Sequence, residues 1–192
     1  MIAIELSSVG GIDRATVQTL LAARARLSGR TPLALYECTS FPVSWLIDGD
    51  SDADQDQRAR EYRAGLCARG AGSGRPPTRV VTLRPLDVAG GKRNDCSTSV
   101  LAVLVPAPGA LKPVRALLDK MMEHTRREAG NHYYNLYDSS EDGSLWMFEA
   151  YADAAALQAH RASSYYQTYV PQIAGQLSGA IRVHTLVQRL FG

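Results

Sequence analysis

A repeated segment constrains the fold of this 192-residue chain more than any other feature of its sequence. Residues 29–57 align without gaps on residues 130–158, and seven of the 29 positions are identical. About two identities are expected from ordinary residue frequencies. The identical pairs are Gly29/Gly130, Leu35/Leu136, Tyr36/Tyr137, Trp45/Trp146, Asp52/Asp153, Ala53/Ala154 and Gln57/Gln158. The sequence therefore predicts two copies of one small unit that pair as an intramolecular dimer.

Each copy carries the same predicted order of elements. The hydrophobic patterns of the first copy predict, in order, a strand at 2–7, a helix at 12–27, strands at 33–38 and 43–48, a helix at 54–68 and a strand at 78–83. The second copy repeats them as strand 100–105, helix 112–128, strands 132–137 and 144–151, a helix from 154 to about 169, and strand 181–187. This order predicts an α+β fold of ferredoxin-like β-α-β-β-α-β units.

The predicted units leave one sheet face uncovered in each copy. An antiparallel sheet that is apolar on both faces needs a partner, and the other copy supplies one. We therefore expect a domain at 1–86, a linker at 87–98 and a domain at 99–192, with the two sheets packed face to face as a pseudo-dimer.

Composition argues against several classes of partner. The net charge of +2 is too small to indicate binding of nucleic acid or of an anionic membrane. The three cysteines have no CxxC spacing, which favours buried thiols over a disulfide or zinc framework. The first residues read as a strand rather than a signal peptide, and no long apolar run is present. We expect a cytoplasmic protein.

The second copy carries a recognisable pattern. Gly130-Asn-His-Tyr-Tyr-Asn-Leu-Tyr precedes an aromatic strand that starts at Trp146, and His160-x-x-Ser163 follows. Over about residues 99–190 this pattern resembles the antibiotic biosynthesis monooxygenase family. The resemblance implies the dimeric α+β barrel fold, and that family includes oxygenases that form quinones without a cofactor. The first copy shares only the positions that mark the fold.

The two copies differ in the side chains that they offer for chemistry. All four histidines and seven of the nine tyrosines lie in the second copy, so we expect one equipped pocket there. The resemblance implies that this pocket lies between sheet and helices. The candidate catalytic residues are His160, as base or proton shuttle, and Asn135 and Tyr137, as donors to a phenolate oxygen. The candidate substrate-binding residues are Tyr133, Met147, Glu149 and Tyr151.

Structural explanations compete with these assignments. Glu149 is matched by Asp48 in the first copy, which favours a shared structural hydrogen bond, and a hydrogen-bonding role is an equal alternative for His160. Tyr134, Trp146 and Phe148 fit a core or an interface. The acids at Asp50, Asp52, Asp54 and Glu61 have calcium-loop spacing, but Gln55 replaces the required glycine, so no calcium is expected.

The expected function is cofactor-independent oxidation of an aromatic polyketide or quinol-type small molecule. Haem is not expected, because this chain has His160 and Val170 where haem degraders of the superfamily have a tryptophan and the ligating histidine. Quinone-forming members have an asparagine and a tryptophan near positions 147 and 151, whereas this chain has methionine and tyrosine. A cofactor-free cyclase or isomerase, or a non-catalytic binding or assembly protein, stays open, as does a further homodimer. We expect no haem, flavin or metal, no nucleic acid and no membrane.

Overall fold

The computed structural model describes residues 2–7, 18, 33–38, 43–48, 59–64, 79–89, 96–139 and 141–191. The chain divides into two compact units, Met1–Leu83 with Gln188–Gly192, and Arg84–Val187. The predicted helix at 12–27 lies outside the described residues except for Gln18, which is helical. The acids at 50–54 also lie outside them.

Among the described residues, the first unit contains three whole strands, the first part of a fourth that ends in the second unit, and a helical stretch at 59–64. The strands are β1 (Ile2–Ser7), β2 (Leu33–Cys38), β3 (Val43–Asp48) and β4 (Arg79–Asp87). Strand β1 pairs with β3 and β4, and β2 pairs with β3, all antiparallel. The strand order in this unit is therefore β4-β1-β3-β2.

The second unit repeats this arrangement. Its elements are β5 (Thr98–Leu104), α1 (Leu111–Thr125), β6 (Asn131–Ser139), β7 (Leu145–Tyr151), α2 (Ala154–Ala162), α3 (Ser164–Ala174) and β8 (Arg182–Phe191). Strand β5 pairs with β7 and β8, and β6 pairs with β7, again antiparallel. The order β8-β5-β7-β6 matches that of the first unit, and the predicted α+β class is confirmed.

Residues that are identical in the sequence repeat form the same cross-strand pairs in both units. Tyr36 lies opposite Trp45 in the first unit, and Tyr137 lies opposite Trp146 in the second. Directly opposed residues share one face of an antiparallel sheet. The aromatic pair therefore occupies equivalent places in the two units.

The core of the second unit lies between its sheet and its helices. Every residue of β5 is buried, and the cluster on the helix-facing side joins residues of α1, β6, β7 and α3. Its members include Leu118, Met122, Leu136, Tyr151 and Ile173. Burial of these side chains holds the sheet and the helices of this unit together.

The single helix predicted from 154 to about 169 is wrong, because Ser163 interrupts it. Ser163 has extended backbone angles, its hydroxyl donates to the His160 carbonyl at 2.7 Å, and the same oxygen accepts from the Tyr166 amide. One serine thus ends α2 and caps α3. The His-x-x-Ser pattern marks this break, which places His160 at the end of one helix and Tyr165 at the start of the next.

Gly130 allows the turn before β6 to approach α2 closely. A Cβ atom at this position would lie 2.5 Å from the Ala156 Cβ, and the Gly130 carbonyl accepts from the Ala152 amide at 2.9 Å. We expect Gly130→Ala to lower the free energy of unfolding by about 1–3 kcal/mol, measured by urea denaturation. Gly179→Ala is the control, since nothing lies within 4 Å of its added Cβ. Equal losses in both variants would rule out the steric explanation.

Candidate active site

A small cavity lies inside the second unit, between its sheet and its helices. Its volume is about 60 Å³, room for on the order of five water molecules. Aliphatic and methionine side chains form most of the wall, Met147 among them. The polar part of the lining consists of Tyr134, Glu149, His160, Arg161 and Tyr166. An apolar cavity with a few convergent polar groups is the usual form of a small-molecule site.

His160 is held at this cavity by its Nδ1 atom. Nδ1 lies 3.2 Å from Glu128 Oε2 and 3.1 Å from the Tyr165 hydroxyl oxygen. The Tyr165 hydroxyl donates to the other Glu128 oxygen, and Thr125 Oγ1 lies 3.2 Å from the same hydroxyl. Glu128, which follows the end of α1, therefore links the first and third helices to the histidine.

This contact set determines which ring nitrogen carries the hydrogen. The Tyr165 hydrogen is directed at Glu128, so both neighbours of Nδ1 offer lone pairs and Nδ1 is the donor. The neutral His160 ring then keeps its free lone pair on Nε2. That atom is buried and has no hydrogen-bond partner among the described residues. An unsatisfied buried nitrogen costs about 1–3 kcal/mol, so it marks a place where a ligand can bind.

Aromatic rings enclose the imidazole. The ring centroids of Tyr134, Tyr151, Tyr165 and Tyr166 lie 5.5, 5.4, 5.9 and 5.0 Å from that of His160. Desolvation by this shell lowers the pKa of His160, although Glu128 acts in the opposite direction. The imidazole is therefore neutral at pH 7, which is the form that accepts a proton.

Glu149 is a second titratable group on the cavity wall. It is only 8% exposed, and its Oε2 accepts from the Tyr151 hydroxyl at 2.8 Å. Desolvation raises the pKa of Glu149 to about 7, against the lowering effects of the Tyr151 hydrogen bond and of Arg161. Burial and the nearby Glu149 charge raise the pKa of Tyr151 far above its usual range. The Tyr151 hydroxyl therefore remains a donor.

A wider cavity of about 610 Å³ lies beside α2. Residues of α2, the start of β5 and β8 form its wall, including Thr98, Leu157, Gln158 and Thr185. Arg161 lines both cavities. The wider space has the volume of a drug-sized ligand site, whereas the cavity at His160 does not.

The structure brings together some of the predicted site residues and separates others. His160, Glu149 and Met147 line the small cavity, and Tyr151, the hydrogen-bond partner of Glu149, is buried in the core cluster of the unit. The structural hydrogen bonds considered as alternatives for His160 and Glu149 are present, but His160 Nε2 is buried without a partner among the described residues, and the bond from Tyr151 engages only Oε2 of Glu149. Structural anchoring and cavity lining therefore coexist.

The assignment of Tyr133, Asn135 and Tyr137 to the pocket between sheet and helices is wrong. Tyr134 and Leu136 belong to the helix-facing cluster, because they lie opposite Glu149 and Met147. Tyr133, Asn135 and Tyr137 project from the other face, so they do not line the cavity. The side-chain oxygen of Asn135 accepts instead from the Ala89 amide at 3.1 Å. The cause is register, since a shift of one residue exchanges the two faces of a strand.

Five contributors to the site are not among the predicted site residues. Glu128 and Tyr165 hold His160. Arg161, Tyr166 and Tyr134, the last assigned in the sequence analysis to a core or interface, line the cavity. Glu128 lies 32 residues from His160 in the chain, so no local spacing links them. The sequence signal that could have indicated Glu128 is its position, as an acidic residue between the end of a helix and Gly130.

Within the part of the chain that the structure describes, no group of three or more His, Cys, Asp or Glu side chains could hold a metal ion. The expectation that the protein uses no metal, haem or flavin stays a prediction. In the same residues, no helix is both long and apolar enough to cross a membrane.

The corrected orientation of β6 makes a prediction about activity. We expect Asn135→Ala and Tyr137→Phe to change kcat/KM by less than about threefold, because neither side chain touches the cavity. Asn135→Ala should lower the free energy of unfolding by about 1–3 kcal/mol, since it leaves the Ala89 amide without its acceptor. Steady-state rates and urea denaturation check both points. A hundredfold loss of activity in either variant, with unchanged stability, would restore the original orientation.

The second unit is similar in sequence to known proteins. A family model described as antibiotic biosynthesis monooxygenase matches residues 98–172. Rv0793 of Mycobacterium tuberculosis (strain ATCC 25618 / H37Rv), named as a candidate monooxygenase, is 40% identical over 88 residues, which cover 46% of this chain and 87% of that relative. The matched residues 98–172 run from β5 into α3 and include every residue of the small cavity except those at 173, 181 and 183.

Two solved structures share the fold at low identity. The crystal structure of a candidate monooxygenase from Lactobacillus acidophilus NCFM has a TM-score of 0.70 at 15% identity, over 100% of this chain and 94% of that chain. A second, from Fusobacterium nucleatum subsp. nucleatum, has a TM-score of 0.69 at 14% identity, over 99% and 92%. The family match and the mycobacterial relative support a monooxygenase-like function. The chain belongs to the antibiotic biosynthesis monooxygenase family.

Proposed function

We propose that the second unit oxidises an aromatic polyketide or quinol-type molecule with O2 and without a cofactor, using His160 as the base. One observation carries the proposal: a neutral imidazole, fixed through Nδ1 by Glu128, has its other nitrogen buried beside a cavity without a partner. A histidine oriented by a carboxylate is a common arrangement for a general base.

The reaction balances without metal or flavin. His160 Nε2 takes a proton from a ring CH2 that lies between two aromatic rings and across the ring from a carbonyl. The carbanion passes one electron to O2, and the two radicals join as a C–O–O⁻ group. The imidazolium returns its proton to the outer oxygen. Loss of the second C–H proton then breaks the O–O bond and gives a new carbonyl and water.

The side chains of the cavity wall suit such a substrate chemically, but the cavity is too small to hold the whole molecule. Tyrosine rings pack on flat aromatic ligands, and a dry pocket stabilises a delocalised anion against solvent protons. A volume of about 60 Å³ holds only the reacting part of a ring. We propose that the rest of the molecule occupies the wider cavity and that Arg161, common to both, moves aside on binding.

Anthrone under ¹⁸O2 tests the proposed reaction. We expect O2 uptake equal to the quinone formed, one ¹⁸O atom in the new carbonyl, and no loss of rate with EDTA. Oxidation with release of hydrogen peroxide and no ¹⁸O in the product would make the protein an oxidase. Uptake no faster than in protein-free buffer, across a panel of anthrones and hydroquinones, would favour the isomerase or binding alternatives.

We propose also that the two units pair their sheets face to face as a pseudo-dimer. Support comes from the equal strand order, from the repeated Tyr–Trp pair and from the whole-chain fold match at a TM-score of 0.70. A compact single body of 192 residues has a radius of gyration of about 16 Å. Small-angle scattering should give this value, and a clearly larger value at monomeric mass would indicate separate units.

A further inference from the structure

The small cavity holds two titratable groups that are built alike. His160 is anchored through Nδ1 to Glu128, and Glu149 is anchored through Oε2 to the Tyr151 hydroxyl. Nε2 of His160 is buried and has no hydrogen-bond partner among the described residues. The hydrogen bond from Tyr151 engages Oε2 of Glu149 and leaves Oε1 for a ligand. Both side chains line the same cavity, so a ligand there meets two polar atoms of complementary chemistry.

Burial determines what the carboxyl group can do. Tyr151 donates to Oε2, so the proton of a neutral Glu149 is carried by Oε1. Desolvation raises the pKa of Glu149 to about 7, so a large fraction of this carboxyl is protonated near neutral pH. A neutral carboxylic acid in an apolar site donates a hydrogen bond or a proton.

We propose that Glu149 and His160 form an acid–base pair that enolises a ketone in this cavity without O2. The inference rests on the proposed function in taking His160 as the base. It goes further by assigning a second catalytic residue and a separate activity, proton exchange at a carbon beside a carbonyl.

The step is a proton relay with no change of oxidation state. Nε2 of His160 accepts a proton as a C–H bond beside the carbonyl breaks. Glu149 delivers its proton to the carbonyl oxygen as the C=C bond of the enol forms. In the reverse direction carbon takes a proton from the imidazolium, and the carboxylate recovers one from the enol. Imidazolium protons exchange with solvent in between, so D2O places deuterium on carbon.

The charged and titratable groups around the pair predict its pH range. Those that face it are Glu128 after α1, Tyr134 on β6, Tyr151 on β7, Arg161 on α2, and Tyr165 and Tyr166 on α3. Activity requires neutral imidazole and neutral carboxyl. The exchange rate should rise through the pKa of His160, which lies below its ordinary value of 6.5, and fall through that of Glu149, about 7.

The experiment follows deuterium exchange into 2-indanone, whose CH2 groups lie between a carbonyl and an aromatic ring. The full chain is incubated with it in D2O under argon, and ¹H NMR gives the rate. We expect exchange well above the protein-free rate, and a loss of about 100-fold in both Glu149→Gln and His160→Gln. The matched control is Glu123→Gln, an exposed α1 carboxylate that pairs only with Arg127 among the described residues, and it should leave the rate unchanged.

A further variant, Arg161→Gln, separates a chemical role of Glu149 and His160 from a structural one. It provides this test even if the Glu149→Gln protein does not fold. Arg161 lowers the pKa of Glu149 and that of His160. Arg161→Gln should therefore move both limbs of the pH profile to higher pH, which a merely structural effect would not do. Arg115→Gln, in an ion pair with Asp119 on the outside of α1, should leave both limbs in place.

Two results overturn the acid–base pair: wild-type exchange no faster than in buffer, or full exchange in folded Glu149→Gln. The ¹⁸O experiment is independent. Exchange without oxygen incorporation would retain the pair and remove the proposed oxygenation. Oxygen incorporation without anaerobic exchange would retain His160 as the base and remove the role of Glu149.

Discussion

His160→Gln should lower kcat/KM by about 10²–10⁴-fold, the usual loss when a general base is removed. Glutamine keeps most of the buried volume and still offers a hydrogen bond toward Glu128, but it cannot accept a proton from carbon. The loss should appear in kcat, because the base acts in the transition state more than in substrate binding. Steady-state oxidation of anthrone gives both constants.

The matched control is His184→Gln. Burial lowers the pKa of both histidines, and His184 is only 9% exposed, but it does not line the small cavity. We expect its kcat/KM to stay within about threefold of wild type. Equal losses in the two variants, or a His160→Gln enzyme of full activity, would remove the assigned base.

The pH dependence provides a second test of the same base. Below the lowered pKa of His160 the imidazole is protonated and cannot act, so kcat/KM should fall as the pH drops through this pKa. Protonation also opposes folding, since a histidine with a lowered pKa binds its proton more tightly in the unfolded chain. This contribution to stability is present above pH 6.5 and is lost as the pH falls through the folded pKa. Activity measured only where the chain remains folded separates the two effects.

The fold was largely predictable because its signals are local. Alternating apolar residues gave β1, β2 and β3 with the bounds that the structure has. The repeat pointed to equivalent strand pairs, which Tyr36/Trp45 and Tyr137/Trp146 form. Helix α2 was extended too far because helical periodicity continues through Ser163, and the competing serine caps outweigh it.

The site was less predictable because it depends on register and on distant contacts. Alternation places Tyr133 and Tyr134 on opposite faces, but it does not say which face meets the helices. The pairing of Tyr134 with Glu149 settles this, and a register shift between Asn131 and Tyr133 contributes to it. The link from Glu128 to His160 joins residues whose proximity exists only after α1 and α2 have packed.

Trp146→Ala should lower the free energy of unfolding by about 3–5 kcal/mol, the usual cost of emptying a large buried site. The side chain is fully buried, and its Nε1 donates to Ser144 Oγ at 2.8 Å. Ser144 in turn donates to Asp142, so the indole fixes the turn before β7 as well as filling space. The free energy of unfolding of a whole domain is about 5–15 kcal/mol, so this change alone removes a large part of the stability. Urea denaturation gives this difference in the free energy of unfolding, with one dependence on urea concentration (m value) fitted to wild type and variant.

Ser144→Ala separates packing from hydrogen bonding at the same place. It removes the acceptor of the indole and keeps the ring, so we expect a loss of about 1–3 kcal/mol, from an unsatisfied buried donor. Trp146→Phe retains most of the ring volume and removes the donor. Its loss in the free energy of unfolding should therefore lie between those of Trp146→Ala and Ser144→Ala. If Trp146→Ala and Ser144→Ala cost the same, the hydrogen bond and not the volume holds this part of β7. A Trp146→Ala protein of wild-type stability would show that the strand does not depend on this ring, and the repeated tryptophan would then need another explanation.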